Sequence, residues 1–192
     1  MANQTDFDWS LYEIGQLAVA NFIVAADGRW TDENGSSRGL SNEFDREILV
    51  RLRNSSDAVL VGGNTARAEK YVKTIRFKTY VVTRAESLIP EGLIRLQPTD
   101  DDDLARQFES LVRLHGGLLV EAGPSLLRKL CHLGQIDRVF LTVVGAISEQ
   151  SEALSKLLNI DGFKLAGRQA KQDSQFLVFD REAPGTTKHH AE

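Results

Sequence analysis

Twice in this chain an apolar run breaks into glycine and then into a helix start. Ala58-Val59-Leu60-Val61 is followed by Gly62-Gly63-Asn64-Thr65, and Leu118-Leu119-Val120-Glu121 by Ala122-Gly123-Pro124-Ser125. A strand that ends in glycine and enters a helix offers backbone N–H groups and a positive helix end to a phosphate. Two such junctions in one small chain point to a ligand with more than one phosphate, such as a dinucleotide. The first junction lacks the Gly-x-Gly-x-x-Gly spacing, and no Gly-Lys-Ser/Thr is present, so the standard Rossmann and P-loop readings are weak. Tight strand-to-helix turns also use glycine for backbone reasons alone.

The junctions belong to an alternation of strands and helices. Residues 17–26 form an almost continuous apolar run, interrupted only by Asn21 and ended by Asp27-Gly28, which reads as a buried strand. Ser41 or Asn42 can cap a helix whose apolar face is Phe44, Ile48, Leu49 and Leu52. Strands are expected over 57–61, 79–83, 92–97, 117–121 and 138–144, with helices over 65–71, after the acidic run 100–103, and over 125–133. The acidic run suits a helix N-terminus. Beyond residue 163 the pattern becomes a hairpin, with strands at 163–166 and 175–180. The expected fold is therefore α/β: a mixed, mostly parallel sheet flanked by helices and finished by an antiparallel C-terminal hairpin.

A length of 192 residues suits one domain, assigned to 1–182, with 183–192 as a disordered tail. His189-His190 lies in that tail. The formal net charge of −4 argues against a nucleic-acid partner. The single cysteine, Cys131, forms no internal disulfide and builds no cysteine-rich zinc site, so no metal is expected. No apolar run reaches the roughly 18 residues of a membrane helix, and the N-terminus does not resemble a signal peptide. A cytoplasmic protein without membrane contact is expected.

The order of the pieces is more specific than any one of them. Asp27-Gly28-Arg29, Gly35-Ser36-Ser37, Leu52-Arg53, Asp57 to Gly62, Thr65 and Val120 to Ser125 follow one another at intervals that resemble the reductase domain of the bacterial riboflavin-biosynthesis deaminase–reductase. That domain belongs to the dihydrofolate-reductase-like superfamily. The resemblance covers residues 17–179. It implies NADPH as cofactor and hydride transfer to a pyrimidine- or pteridine-like ring, in a stand-alone chain. The zinc deaminase half would need His-x-Glu and Pro-Cys-x-x-Cys, which are absent.

Carried over residue by residue, the resemblance places Gly62, Gly63 and Thr65 at the cofactor's phosphates, and Thr83 and Arg84 at the adenosine 2′-phosphate. Arg84 offers a forked cation suited to that dianion. Ala122, Gly123 and Ser125 would serve the pyrophosphate, with Pro124 in the first helical turn. The substrate side would draw on Asn21, Ser36, Glu69 and Arg76. Glu69 replaces an aspartate of the family pattern; Asn21 stands where a lysine is common, and Ala25 where a serine or threonine is usual.

Two carboxylates at strand ends, Asp27 and Glu121, are the expected catalytic groups, close together in the cleft and able to orient substrate or relay a proton. Glu121 follows apolar residues and needs a buried partner. Asp27 has a second reading, in which it only shapes its Asp-Gly turn. Two alternatives to a riboflavin-type pyrimidine reductase stay open: dihydrofolate reduction, or an NADPH-binding paralogue without catalysis, which Asn21 and Ala25 favour. A homodimer is expected by analogy.

Overall fold

The computed structural model describes residues 7–33, 35–83 and 89–183. Arg84 and the stretch 184–192 lie outside them. One eight-stranded sheet runs through the molecule in the order β4-β3-β2-β5-β1-β6-β8-β7. Its central strand β1, Ala18–Ala25, is parallel to β5 (Leu118–Val120) on one side and β6 (Arg138–Val144) on the other. Both faces of β1 are covered, which is why it reads as an apolar run without strand-like alternation. On the β5 side follow β2 (Ala58–Gly62), β3 (Lys78–Val82) and β4 (Ile94–Leu96), all parallel.

The hairpin of β7 (Phe163–Lys171) and β8 (Ser174–Arg181) turns on Gln172-Asp173 and pairs antiparallel with β6. The register of β7 shifts between Leu165 and Gly167, a bulge. There Leu11 packs so tightly that a Cβ on Gly167 would stand 2.8 Å from its Cδ1.

The helices show how local sequence sets their ends. Helix α1, Glu43–Asn54, is capped by Asn42, whose side chain accepts from the Asp45 amide at 2.9 Å, and it buries Phe44, Ile48 and Leu52. Helix α3, Asp101–His115, is capped by Asp100 onto the Asp103 amide at 2.7 Å and stops at Gly116 with φ +67°. The acidic run is thus a cap and a first turn. Helices α2 (Gly63–Ala68) and α4 (Pro124–His132) begin at the glycine junctions. Helix α5, Ala153–Leu158, preceded by a 3₁₀ turn at Gln150–Glu152, was not expected from the sequence.

The core lies in two layers, one on each face of the sheet. One joins Leu60, Leu118 and Leu141 to Phe108 of α3, Leu130 of α4 and Leu158 of α5. The other joins Val19, Leu119 and Phe140 to Phe44 and Ile48 of α1 and to an N-terminal segment with a 3₁₀ turn at Trp9–Tyr12. In that segment Phe7 packs its ring 4.5 Å from Phe44 and 5.6 Å from Phe176, and Tyr12 stacks on Phe140 at 4.9 Å.

Candidate active site

After β2 the chain moves outward to β3, and after β5 it moves the other way to β6. Adjacent parallel strands whose connections diverge leave a crevice at their C-terminal ends. Here that crevice is a cleft of about 1400 Å³, lined by both glycine junctions. A Cβ built on Gly123 would stand 3.4 Å from the Thr65 hydroxyl, and one on Gly62 3.9 Å from the same oxygen. The junctions therefore face each other across Thr65.

The three junction glycines differ in what the fold asks of them. A Cβ on Gly63 would crowd the Thr83 side chain at 3.2 Å, so Gly63 is fixed by packing. Gly62 (φ −81°) and Gly123 (φ −64°) have backbones open to any residue, and a Cβ on either would meet only ordinary contacts. Their smallness serves the open side of the cleft. Helices α2 and α4 also begin without a side-chain cap, unlike α1 and α3. Ala122, Pro124, Ser125 and Thr83 complete this wall.

The opposite half is built of side chains from α1 and the loops. Glu121, just past β5, is buried and held by Arg53: Nε donates to Oε1 at 2.8 Å and Nη2 to Oε2 at 2.5 Å. The Tyr71 hydroxyl donates to the same Oε2 and accepts from Arg53 Nη2 at 3.0 Å. Burial pushes the Tyr71 phenol well above its ordinary pKa, and the Glu121 charge adds to this, so Tyr71 is a neutral donor. Burial lowers the Arg53 pKa, but the Glu121 carboxylate outweighs it and the net shift is upward.

Asp45, in the first turn of α1, also lines the cleft and is buried. Burial raises its pKa, against hydrogen bonds from Ser41 (2.6 Å) and Thr142 that lower it. Asn21 lies on the floor with a buried Oδ1 that has no hydrogen-bond partner among the described residues.

Asp27 requires a correction. Ala20 pairs with Val120, so Glu121 lies beside Asn21, and Asp27 is six residues further on, roughly 20 Å along an extended strand. β5 is only three residues long and ends midway along β1. The Asp27 carboxylate does not line the cleft; it is exposed in its turn, where Arg29 Nε donates to it at 2.8 Å and holds its pKa low. The turn-shaping reading is the one the structure supports.

On the substrate side, Ser36 and Glu69 come together. The Glu69 carboxylate accepts from the Ser36 hydroxyl at 3.0 Å and from the Ser37 amide and hydroxyl at 2.8 and 3.0 Å, and pairs with Arg38 at 3.1 Å. Arg76 does not join them: its Nη1 donates to Asn54 at 3.0 Å on the surface, outside the cleft lining. Sequence reasoning missed Asp45 and Tyr71. A signal for Asp45 was present, since it precedes Ile48 by three positions and shares its buried stripe. Tyr71 reaches Glu121 across 50 residues and carried no local signal.

Among the described residues no group of three or more His, Cys, Asp or Glu could hold a metal ion, and no helix is long and apolar enough to cross a membrane.

The profile of the RibD C-terminal domain family matches residues 17–154. Among solved structures, a pyrimidine reductase-like protein from Corynebacterium diphtheriae superposes with a TM-score of 0.71 at 18% identity, over 93% of this chain and 96% of that one. Dihydrofolate reductase from Enterococcus faecalis, complexed with NADP(H), gives 0.64 at 10% identity, over 88% and 99%. A diaminohydroxyphosphoribosylaminopyrimidine deaminase/5-amino-6-(5-phosphoribosylamino)uracil reductase from Thermotoga maritima gives 0.64 at 16%, over 87% of this chain and 57% of that longer one. These likenesses establish a dihydrofolate-reductase-like fold. No curated protein sequence matches the chain.

Proposed function

The chain belongs to the RibD C-terminal domain family, and on that premise we propose that it is an NADPH-dependent reductase of the riboflavin-pathway type. Its substrate would be a ribosylaminopyrimidine phosphate or a related pterin ring, and its unit of function a single reductase domain. The observation that carries this reading is the pair of glycine junctions facing each other across Thr65 at the mouth of diverging strands. The residues fit a dinucleotide. Gly62 and Gly123 owe their lack of a side chain to no backbone or packing demand, and α4 presents the uncapped N–H groups of Ser125 and Leu126 to a phosphate.

When bound, NADPH supplies the hydride. This chain's residues do the rest. Thr65, Ser125 and the junction backbone hold the phosphates, and Thr83 lies in the wall toward which the nucleotide's far end would extend. Asp45 is the group suited to exchange a proton with the ring: it is buried, lines the cleft, and burial raises its pKa against the hydrogen bonds from Ser41 and Thr142 that lower it. Glu121 is less suited. Both of its oxygens are already bonded to Arg53, and it acts as the anchor of that guanidinium.

The reading is tested by following NADPH oxidation with 5-amino-6-(5-phosphoribosylamino)uracil, its dephosphorylated form and dihydrofolate. Oxidation with at least one ring, and tighter binding of NADPH than NADH, are expected. No oxidation with any of the three overturns it. A non-catalytic nucleotide-binding protein would instead bind NADPH and oxidise none.

A further inference from the structure

The polar groups expected to meet a phosphorylated substrate arm are engaged with one another. The Ser36 hydroxyl and the Glu69 carboxylate bond to each other, and Glu69 is further occupied by Ser37 and Arg38. Arg76 lies outside the cleft. Arg53, which lines the cleft, is matched by Glu121, and its Nη2 also donates to the Tyr71 hydroxyl. Arg46, Arg67 and Lys70 also line the cleft but are exposed, Arg46 donating to the Ser41 carbonyl at 2.9 Å and Arg67 to Asn64 at 2.6 Å, and Lys129 lines it paired with Asp101.

Two further groups of the cleft are different in kind. Asn21 lines it and keeps a buried, unpartnered Oδ1, and Asp45 is a desolvated carboxyl supported by Ser41 and Thr142. A carboxamide offers a donor and an acceptor, and a carboxyl offers either according to its protonation. Both are groups that an uncharged amino-oxo ring, with its N–H and C=O groups, can pair with. A phosphate dianion would find the carboxylates of Glu69 and Glu121 nearby, and the cations beside them, Arg38 and Arg53, already paired with them.

We infer that this site takes a neutral amino-oxo heterocycle and draws no affinity from a phosphate on its side arm, because Tyr71 and Glu69 occupy the groups a phosphorylated arm would use. The inference rests on the reductase reading for what happens to the ring, but its test is a binding test.

Trp30 lines the cleft, so ligand binding is followed by tryptophan fluorescence and confirmed by calorimetry. The probes are 5-amino-6-(5-phosphoribosylamino)uracil and the same compound without its phosphate. The two are expected to bind within about threefold of each other. Asn21→Ala should weaken both alike, by about tenfold. Tyr71→Phe removes the hydroxyl and exposes a donor of Arg53, so the phosphorylated probe should gain about tenfold over the other. Glu69→Asp, which draws the carboxylate back from Ser36 and Ser37, should shift preference the same way and serves if Tyr71→Phe does not fold. Binding of the phosphorylated probe more than about threefold tighter in the unaltered protein, or binding of neither probe, overturns the inference. Comparable binding of both without NADPH oxidation would end the reductase reading and leave this inference standing. Oxidation that requires the phosphate would do the reverse.

Discussion

At the glycine junctions, helices α2 and α4 start without a side-chain cap, whereas in the α1 half of the cleft Glu69, Glu121, Arg53 and Tyr71 are bonded to other side chains. On the reading proposed above, the first half suits a ligand that brings its own charge. The second has matched Arg38 and Arg53 with carboxylates of its own, and Asn21 and Asp45 are its groups for a ring. Uncapped N–H groups cost stability that a bound phosphate returns. A saturated ion-pair network gives rigidity and selects by what it refuses.

The largest expected effect tests the open pair in the α1 half. Asp45→Asn should lower turnover per folded molecule by about 10²–10⁴-fold, read in steady-state kinetics, with little change in nucleotide affinity. The same variant should alter the pH dependence of stability. A carboxyl whose folded-state pKa is raised favours the folded state when protonated, so stability falls as pH rises from the ordinary carboxylate range through the raised value. Asp45→Asn should flatten that fall in Tm; an unchanged slope would remove Asp45 from the account.

Next comes the saturated pair. Glu121→Gln should cost about 1.5–3 kcal/mol of stability in urea denaturation, the scale of hydrogen bonds to a charged partner, while nucleotide affinity stays the same. A loss of turnover without loss of stability would make Glu121 a participant in chemistry and blur the contrast between the halves.

Two smaller effects compare capped with uncapped helices. Asp100→Ala should destabilise by about 1 kcal/mol through loss of the α3 cap. Gly123→Ser runs the other way: a serine there can cap α4 and add a few tenths of a kcal/mol, yet it fills the approach to the Ser125 and Leu126 amides. Thermal melts should show a slight gain and nucleotide titrations a loss of about tenfold. If Gly123→Ser binds nucleotide normally, the bare junction has no part in holding it.

Much of the fold was legible because its signals are local. The bounds of β6 follow from an apolar run between charged and glycine residues, and Asp100 to Asp103 announced α3. Helix α5 was not legible: its six residues are too few to show a helical period, and no strand-and-glycine junction marks its start as one marks α2. In the site, Gly62, Gly123, Thr65 and Ser125 could be placed in one cleft because each junction carries its own strand-to-helix pattern. Asp27 was misplaced because the chain does not reveal that β5 ends midway along β1; register is a property of two strands. The partners of Glu121 were hidden for a related reason: Arg53 and Tyr71 reach it from 68 and 50 residues away.

The N-terminal aromatic segment carries a consequence for how the molecule is made. Phe7 docks on Phe176, and the Asp8 amide bonds Gln169 across 161 residues. Residues that leave the ribosome early therefore have no finished surface to dock on until β7 and β8 follow, on the order of ten seconds later at ordinary translation rates. During that interval Phe7, Trp9 and Tyr12 lack the Phe176 and Gln169 contacts that cover this segment in the finished fold. Closure of this strap onto the hairpin is the step that ends the interval.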